Sequence, residues 1–97
     1  MSESKENTEG LFELDDCMDI TVAAMTYERM NDLLNHHKAI KLDGTKIERI
    51  DGAGLQLLVA FFKTAETLHI SIEWQGYSDL LKKSANLLGL TGELALE

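Results

Sequence analysis

In this 97-residue chain, the residues best placed to do chemistry are Asp51 and the Gly52-Ala53-Gly54 triplet that follows it, just ahead of a long apolar run. A carboxylate in that position caps a helix by accepting hydrogen bonds from its unpaired backbone N–H groups. Three small side chains then leave the helix start bare. Its N–H groups and the positive end of its dipole could receive an anion, or a partner could approach the backbone closely. The same spacing also serves a tight strand-to-helix turn in which glycine permits close packing.

Other constellations carry less. Asp43 and Asp51 flank one loop as a carboxylate pair, but each has a simpler place, at a strand end and a helix start. No nucleophile or base accompanies them, so no catalytic residue is assigned. His36, His37, His69 and Cys17 lack the paired spacing of a zinc site, and no metal or cofactor is expected. Cys17 sits among acids with no basic neighbour to favour its thiolate, which argues against a nucleophile. No G-x-x-x-x-G-K-[ST] loop is present, which weakens nucleotide binding.

The elements that must position Asp51 follow from periodicity. Gly52 to Thr67 reads as a helix, with Leu55, Leu57, Leu58, Val59, Phe61 and Phe62 leaving it apolar on more than one face. Ala39–Asp43 and Leu68–Trp74 alternate apolar and polar residues, as strands with one wet face do. Leu11–Leu14 and Cys17–Val22, either side of Asp15-Asp16, read as a hairpin. Met25–Asn35 is an amphipathic helix. A last helix opens at Tyr77 or Ser78, turns Leu80, Leu81, Ala85 and Leu88 inward and stops at Gly89, and Leu90–Leu96 could form a further short turn. Strand, helix and strand in the middle of the chain make a right-handed parallel crossover. The order ββαβαβα gives an α/β fold in two layers, a mixed sheet with helices packed on one face and the other face largely solvent-exposed.

Size and charge narrow the function. A chain of this length holds one small domain, read as residues 11–97 behind a flexible acidic tail of residues 1–10. Nine Lys+Arg against seventeen Asp+Glu, a net charge of -8, exclude the basic patch that nucleic acid needs and disfavour an anionic membrane surface. Six of those eight charges lie in residues 1–19, so the body is close to neutral. The longest apolar stretch, Leu57–Phe62, is far short of a membrane span. The single cysteine requires no oxidising compartment, and with no leader-like start the expected location is cytoplasmic.

The segment from Lys41 to Phe62 resembles the STAS domain family. An aliphatic strand ends in Asp43, a loop follows, and Ile50-Asp51-x-x-Gly54-Leu55 runs into a leucine-rich helix. The resemblance spans about residues 11–90. Ala53-Gly54-Leu55-Gln56-Leu57-Leu58, Trp74-Gln75-Gly76 and Leu87-Leu88-Gly89-Leu90 are similar to the MlaB-like members. It implies a non-enzymatic bacterial signalling module that docks on a larger regulator. Candidate regulators are an anti-sigma-factor kinase, a chemotaxis-type kinase, or the ATPase subunit of a lipid-transport ABC complex. Alternatives are a small-ligand or nucleotide sensor and a homodimer.

The partner surface implied by the resemblance comprises Asp51, Gly52, Ala53, Gly54, Leu55 and Leu58 with the loop around Thr45. Gly52 to Gly54 are expected to be small and exposed. Anti-sigma-factor antagonists commonly carry a phosphorylatable Ser or Thr at the position of Ala53, and MlaB-like proteins often carry Thr at that of Gly52. Neither hydroxyl is present here. A phosphate switch would therefore need another acceptor, such as Thr45.

Overall fold

The computed structural model describes residues 9–96. Five strands and three helices follow in the order β1 (Glu9–Glu13), β2 (Cys17–Met18), α1 (Ile20–Leu33), β3 (Ala39–Gly44), β4 (Arg49–Ile50), α2 (Gly52–Thr67), β5 (Ser71–Tyr77) and α3 (Asp79–Leu87). The main sheet has the order β1-β3-β5, and β2 pairs separately with β4. Of the tail read over residues 1–10, residues 1–8 lie outside the described residues, and Glu9 and Gly10 open β1.

Alternation sets the two faces of the sheet. Ile40, Leu42 and Gly44 of β3 are buried, while Lys41 and Asp43 between them face outward. Ile40 lies opposite Ile72, and Leu42 opposite Trp74. On the other side, Phe12 pairs with Leu42. These inward residues join the side chains of α1 and α2 in one core built on Leu14, Met18, Met30, Leu55, Leu58 and Phe61. This is the expected α/β domain with a polar outer sheet face.

The hairpin does not form. Every strand pair among the described residues is parallel, so the antiparallel part expected of the mixed sheet is missing. After β1, the chain steps sideways instead of turning back. The Asp16 carbonyl accepts from the Glu48 and Arg49 amides at 2.8 and 3.0 Å, placing Cys17 and Met18 beside Arg49 and Ile50. The second apolar run then becomes helix. Asp19 caps it by accepting from the Thr21 amide at 3.0 Å, so α1 starts at Ile20, not near Met25.

α2 occupies the expected residues. Its second apolar face is covered: Leu57 and Phe62 pack against the core, and Phe62 stacks on Trp74 with ring centroids 5.9 Å apart. β5 begins three residues later than expected because Leu68 is the cap of α2 and His69 takes a left-handed φ of 61° to turn the chain. In α3, capped by Ser78, Leu81 and Ala85 are buried, whereas Leu80 and Leu88, expected inward, stay 38% and 54% exposed. Gly89 ends it at φ 70°, and Leu90, Leu94 and Leu96 return to the core.

Candidate functional site

β1 and β3 run parallel, so the loops that follow them leave at one end of the main sheet, and Asp51 follows β4 of the separate β2–β4 pair. One carboxylate oxygen, Oδ1, accepts from the Gly54 amide at 3.0 Å, capping α2 as the sequence implies. The other, Oδ2, accepts from the Ile20 amide at 3.1 Å. One side chain therefore ties together the starts of α1 and α2, 31 positions apart in the chain. The Asp51 carbonyl also receives the Leu55 amide at 3.0 Å.

The small residues after Asp51 have different roles. A Cβ on Gly52 would meet nothing within 4 Å, so this position is open surface. Ala53 is half-buried. Gly54 is buried, and a Cβ there would lie 2.0 Å from the Met18 carbonyl oxygen and 2.9 Å from Met18 Cγ. Its lack of a side chain serves the approach of α2 to β2, not a partner. Leu55 and Leu58 are likewise core residues, at 2% and 0% exposure. The surface actually presented is Gly52, the edge of Ala53 and Gln56, which is exposed one turn on.

One neighbour extends that surface, and Thr45 lies elsewhere, against Gly76. Ile20, joined to Asp51 through its amide, is 71% exposed, a large apolar side chain left in solvent beside the turn. Sequence reasoning placed it in a strand; Asp19 immediately before it, a good N-cap type, was the available signal. Thr45 is exposed in the loop after β3, where its amide and hydroxyl both donate to Asp43 Oδ1, at 2.9 and 2.6 Å. Those two bonds, the hydroxyl's first, together with nearby Lys46, hold the Asp43 carboxyl below its usual range. Asp19 is lowered similarly, first by the Thr21 hydroxyl and then by the Cys17 side chain.

Asp43 accepts from Thr45, and Asp51 from Gly54 and Ile20. Cys17 is half-buried. His36 lies 3.8 Å from Asp32 near the end of α1, while His69 turns the chain after α2. Among the described residues, no three His, Cys, Asp or Glu side chains are grouped to hold a metal ion, and no helix is long and apolar enough to cross a membrane.

Comparison with known proteins gives the family and the fold. The family model described as "Mlab, STAS domain" matches residues 1–96. A search of curated proteins gives no significant match. Among solved structures, the chain is similar to the crystal structure of a sulfate transporter family protein from Wolinella succinogenes. The TM-score is 0.67 at 20% identity, over 89% of this chain and 70% of that one. At this identity the likeness speaks for the fold.

Proposed function

This chain belongs to the Mlab-type STAS domain family, and from that premise we propose that it is a non-enzymatic bacterial regulatory module acting by docking to a larger protein. The docking surface is the bare start of α2 at Gly52 and Ala53, with Gln56 and exposed Ile20 beside it, and the Thr45 loop as a separate contact. One observation carries the reading: Asp51 accepts hydrogen bonds from two helix starts while Gly52 beside it stays open. A preorganised surface with no side chain over the backbone suits close approach by a partner, and ordering it costs little on binding.

Candidate partners are a regulatory kinase of the anti-sigma-factor or chemotaxis type and the ATPase subunit of a lipid-transport ABC complex. The Mlab description of the family favours the second. An anionic ligand at the same turn is less well served. Asp51 already takes the Gly54 and Ile20 amides, and its charge, with those of Asp19 and Asp43, repels phosphate. Since neither Gly52 nor Ala53 has a hydroxyl, docking is constitutive unless Thr45 is modified. A phosphate there would place about -1.5 to -2 charge next to Asp43.

Gly52→Trp tests the site, because the position is open and the fold should tolerate the ring. Affinity purification from the native cell should recover a kinase or an ABC ATPase subunit with the parent chain. The variant should bind the recovered partner at least tenfold more weakly at an unchanged melting temperature. Undiminished binding would sink the docking turn.

A further inference from the structure

α3 buries only a narrow face. Leu81 and Ala85 point into the core, Leu81 reaching Gly44 beside Ile47 and Trp74. Leu80 and Leu87, seven positions apart, fall on one outer row of the helix, and Leu88 ends it. All three are exposed, Leu87 at 85%. Large apolar side chains set in a row on a surface mark a contact face more often than single ones do.

The next rows of the same helix carry charge. Lys83 lies beside Leu87, and Lys82 lies further round, where Asp79, Lys82, Lys83 and Asn86 line a groove of about 300 Å³. Both lysines are exposed, and among the described residues neither forms an ion pair, whereas Lys46 meets Glu13 at 3.9 Å. In a chain of net charge -8, α3 holds two lysines against one aspartate, and that aspartate occupies the first turn, where the helix dipole favours it. The face is also remote from the described chain ends. Glu9 opens β1, which is separated from β5 by β3, and the parallel strands put that opening at the opposite end from the exit of β5 into α3. Glu93 and Ala95 turn towards Phe62, Ile70 and Ile72.

We propose that the outer face of α3 docks an acidic amphipathic helix of a partner protein. Its apolar row would pack on Leu80, Leu87 and Leu88, and the carboxylates flanking that row would face Lys83 and Lys82. Laying one amphipathic helix on another apolar face is a recurrent mode of peptide recognition, and opposite charges at its border fix the orientation. A second copy of this chain fits poorly. Antiparallel pairing that sets Leu80 against Leu87 brings Lys83 to the two-fold axis beside its own equivalent, and parallel pairing in register does the same. Three leucines on a helix of nine residues also fall well short of the roughly 800 Å² per partner of a standard interface. An anionic bilayer would meet the same two lysines, but the net charge of the chain opposes it. The proposal stands on α3 and uses neither Gly52 nor Ile20.

The test uses the full 97-residue chain and two capped peptides, Glu-Leu-Ala-Glu-Leu-Leu-Ala-Glu-Leu-Ala-Glu-Leu-Leu-Ala and its lysine-for-glutamate analogue. Amide NMR should show residues 79–88 shifting with the acidic peptide. Its affinity should exceed that of the basic one at least tenfold and fall as salt is added. Lys82→Glu with Lys83→Glu should reverse that preference. Leu87→Ser should weaken the acidic peptide at least tenfold at an unchanged melting temperature, because the side chain is exposed. Equal binding of the two peptides, shifts confined to residues outside 79–88, or no shift at all would overturn the proposal. So would a dimer in sedimentation that Leu87→Ser dissolves, which makes a second copy the occupant. Shifts of residues 79–88 with phosphatidylglycerol vesicles but not with the acidic peptide would overturn it in favour of a lipid surface.

Discussion

Gly52 and Gly54, two positions apart, place opposite demands on a side chain. A methyl at Gly54 meets the Met18 carbonyl at 2.0 Å, a backbone atom that cannot swing away. Gly54→Ala should therefore cost about 1–3 kcal/mol or more as overpacking, read as a lower denaturant midpoint. Gly52→Ala, in open space at the first turn, should leave stability unchanged or raise it by about 0.4–1 kcal/mol. Asp51→Ala removes a cap worth about 0.5–2 kcal/mol and also releases the Ile20 amide. Asp51→Asn has one acceptor oxygen left, so it should keep the α2 cap while the Ile20 amide exchanges faster with solvent. Thr45 gives a pH signature. Asp43 is depressed in the folded state, so it stabilises the fold above its unfolded pKa, and that contribution is lost as pH falls through the folded value. Thr45→Val should raise the Asp43 pKa towards the ordinary range, as followed by carboxyl NMR, and weaken the acid end of the stability profile.

The elements are held by contacts between segments more than by their own propensities. Ile20-Thr21-Val22 is a β-branched run that reads as strand, yet it opens α1 because Asp19 caps it and Asp51 takes its first free amide. β2 keeps only two residues of the second run, since Arg49 and Ile50 offer no longer partner. At the other side, Trp74 stacks on Phe62, meets Tyr77 edge-on, and donates its indole N–H to the Leu94 carbonyl at 2.7 Å. Trp74→Phe keeps the ring packing but strands that carbonyl. A loss of about 1 kcal/mol is expected from the missing bond, with the amides around 91–96 losing protection first.

Across the whole molecule, the C-terminal leucines close the core that the sheet and helices begin. Leu94→Ala should cost about 2–5 kcal/mol, and unfolding by far-ultraviolet dichroism and by Trp74 fluorescence should shift together, because one core is shared by every element. Much of this architecture was legible beforehand. The strand alternation in Ile40-Lys41-Leu42 and the capped apolar run from Asp51 to Thr67 are local patterns, and local patterns survive into the fold. The Asp51 cap, the Ser78 start of α3 and the Gly89 stop belong to the same class, since each depends on residues within one turn. Neighbours distant in the chain were decided elsewhere. The sequence alone could not show that Asp15-Asp16 leads to β4 and not back along β1, that Asp51 reaches Ile20, or that Gly54, Leu55 and Leu58 face inward while Gly52 and Ile20 face out. Burial is a property of what packs opposite a residue, and only the tertiary structure brings Met18 against Gly54 and leaves the face of Gly52 open.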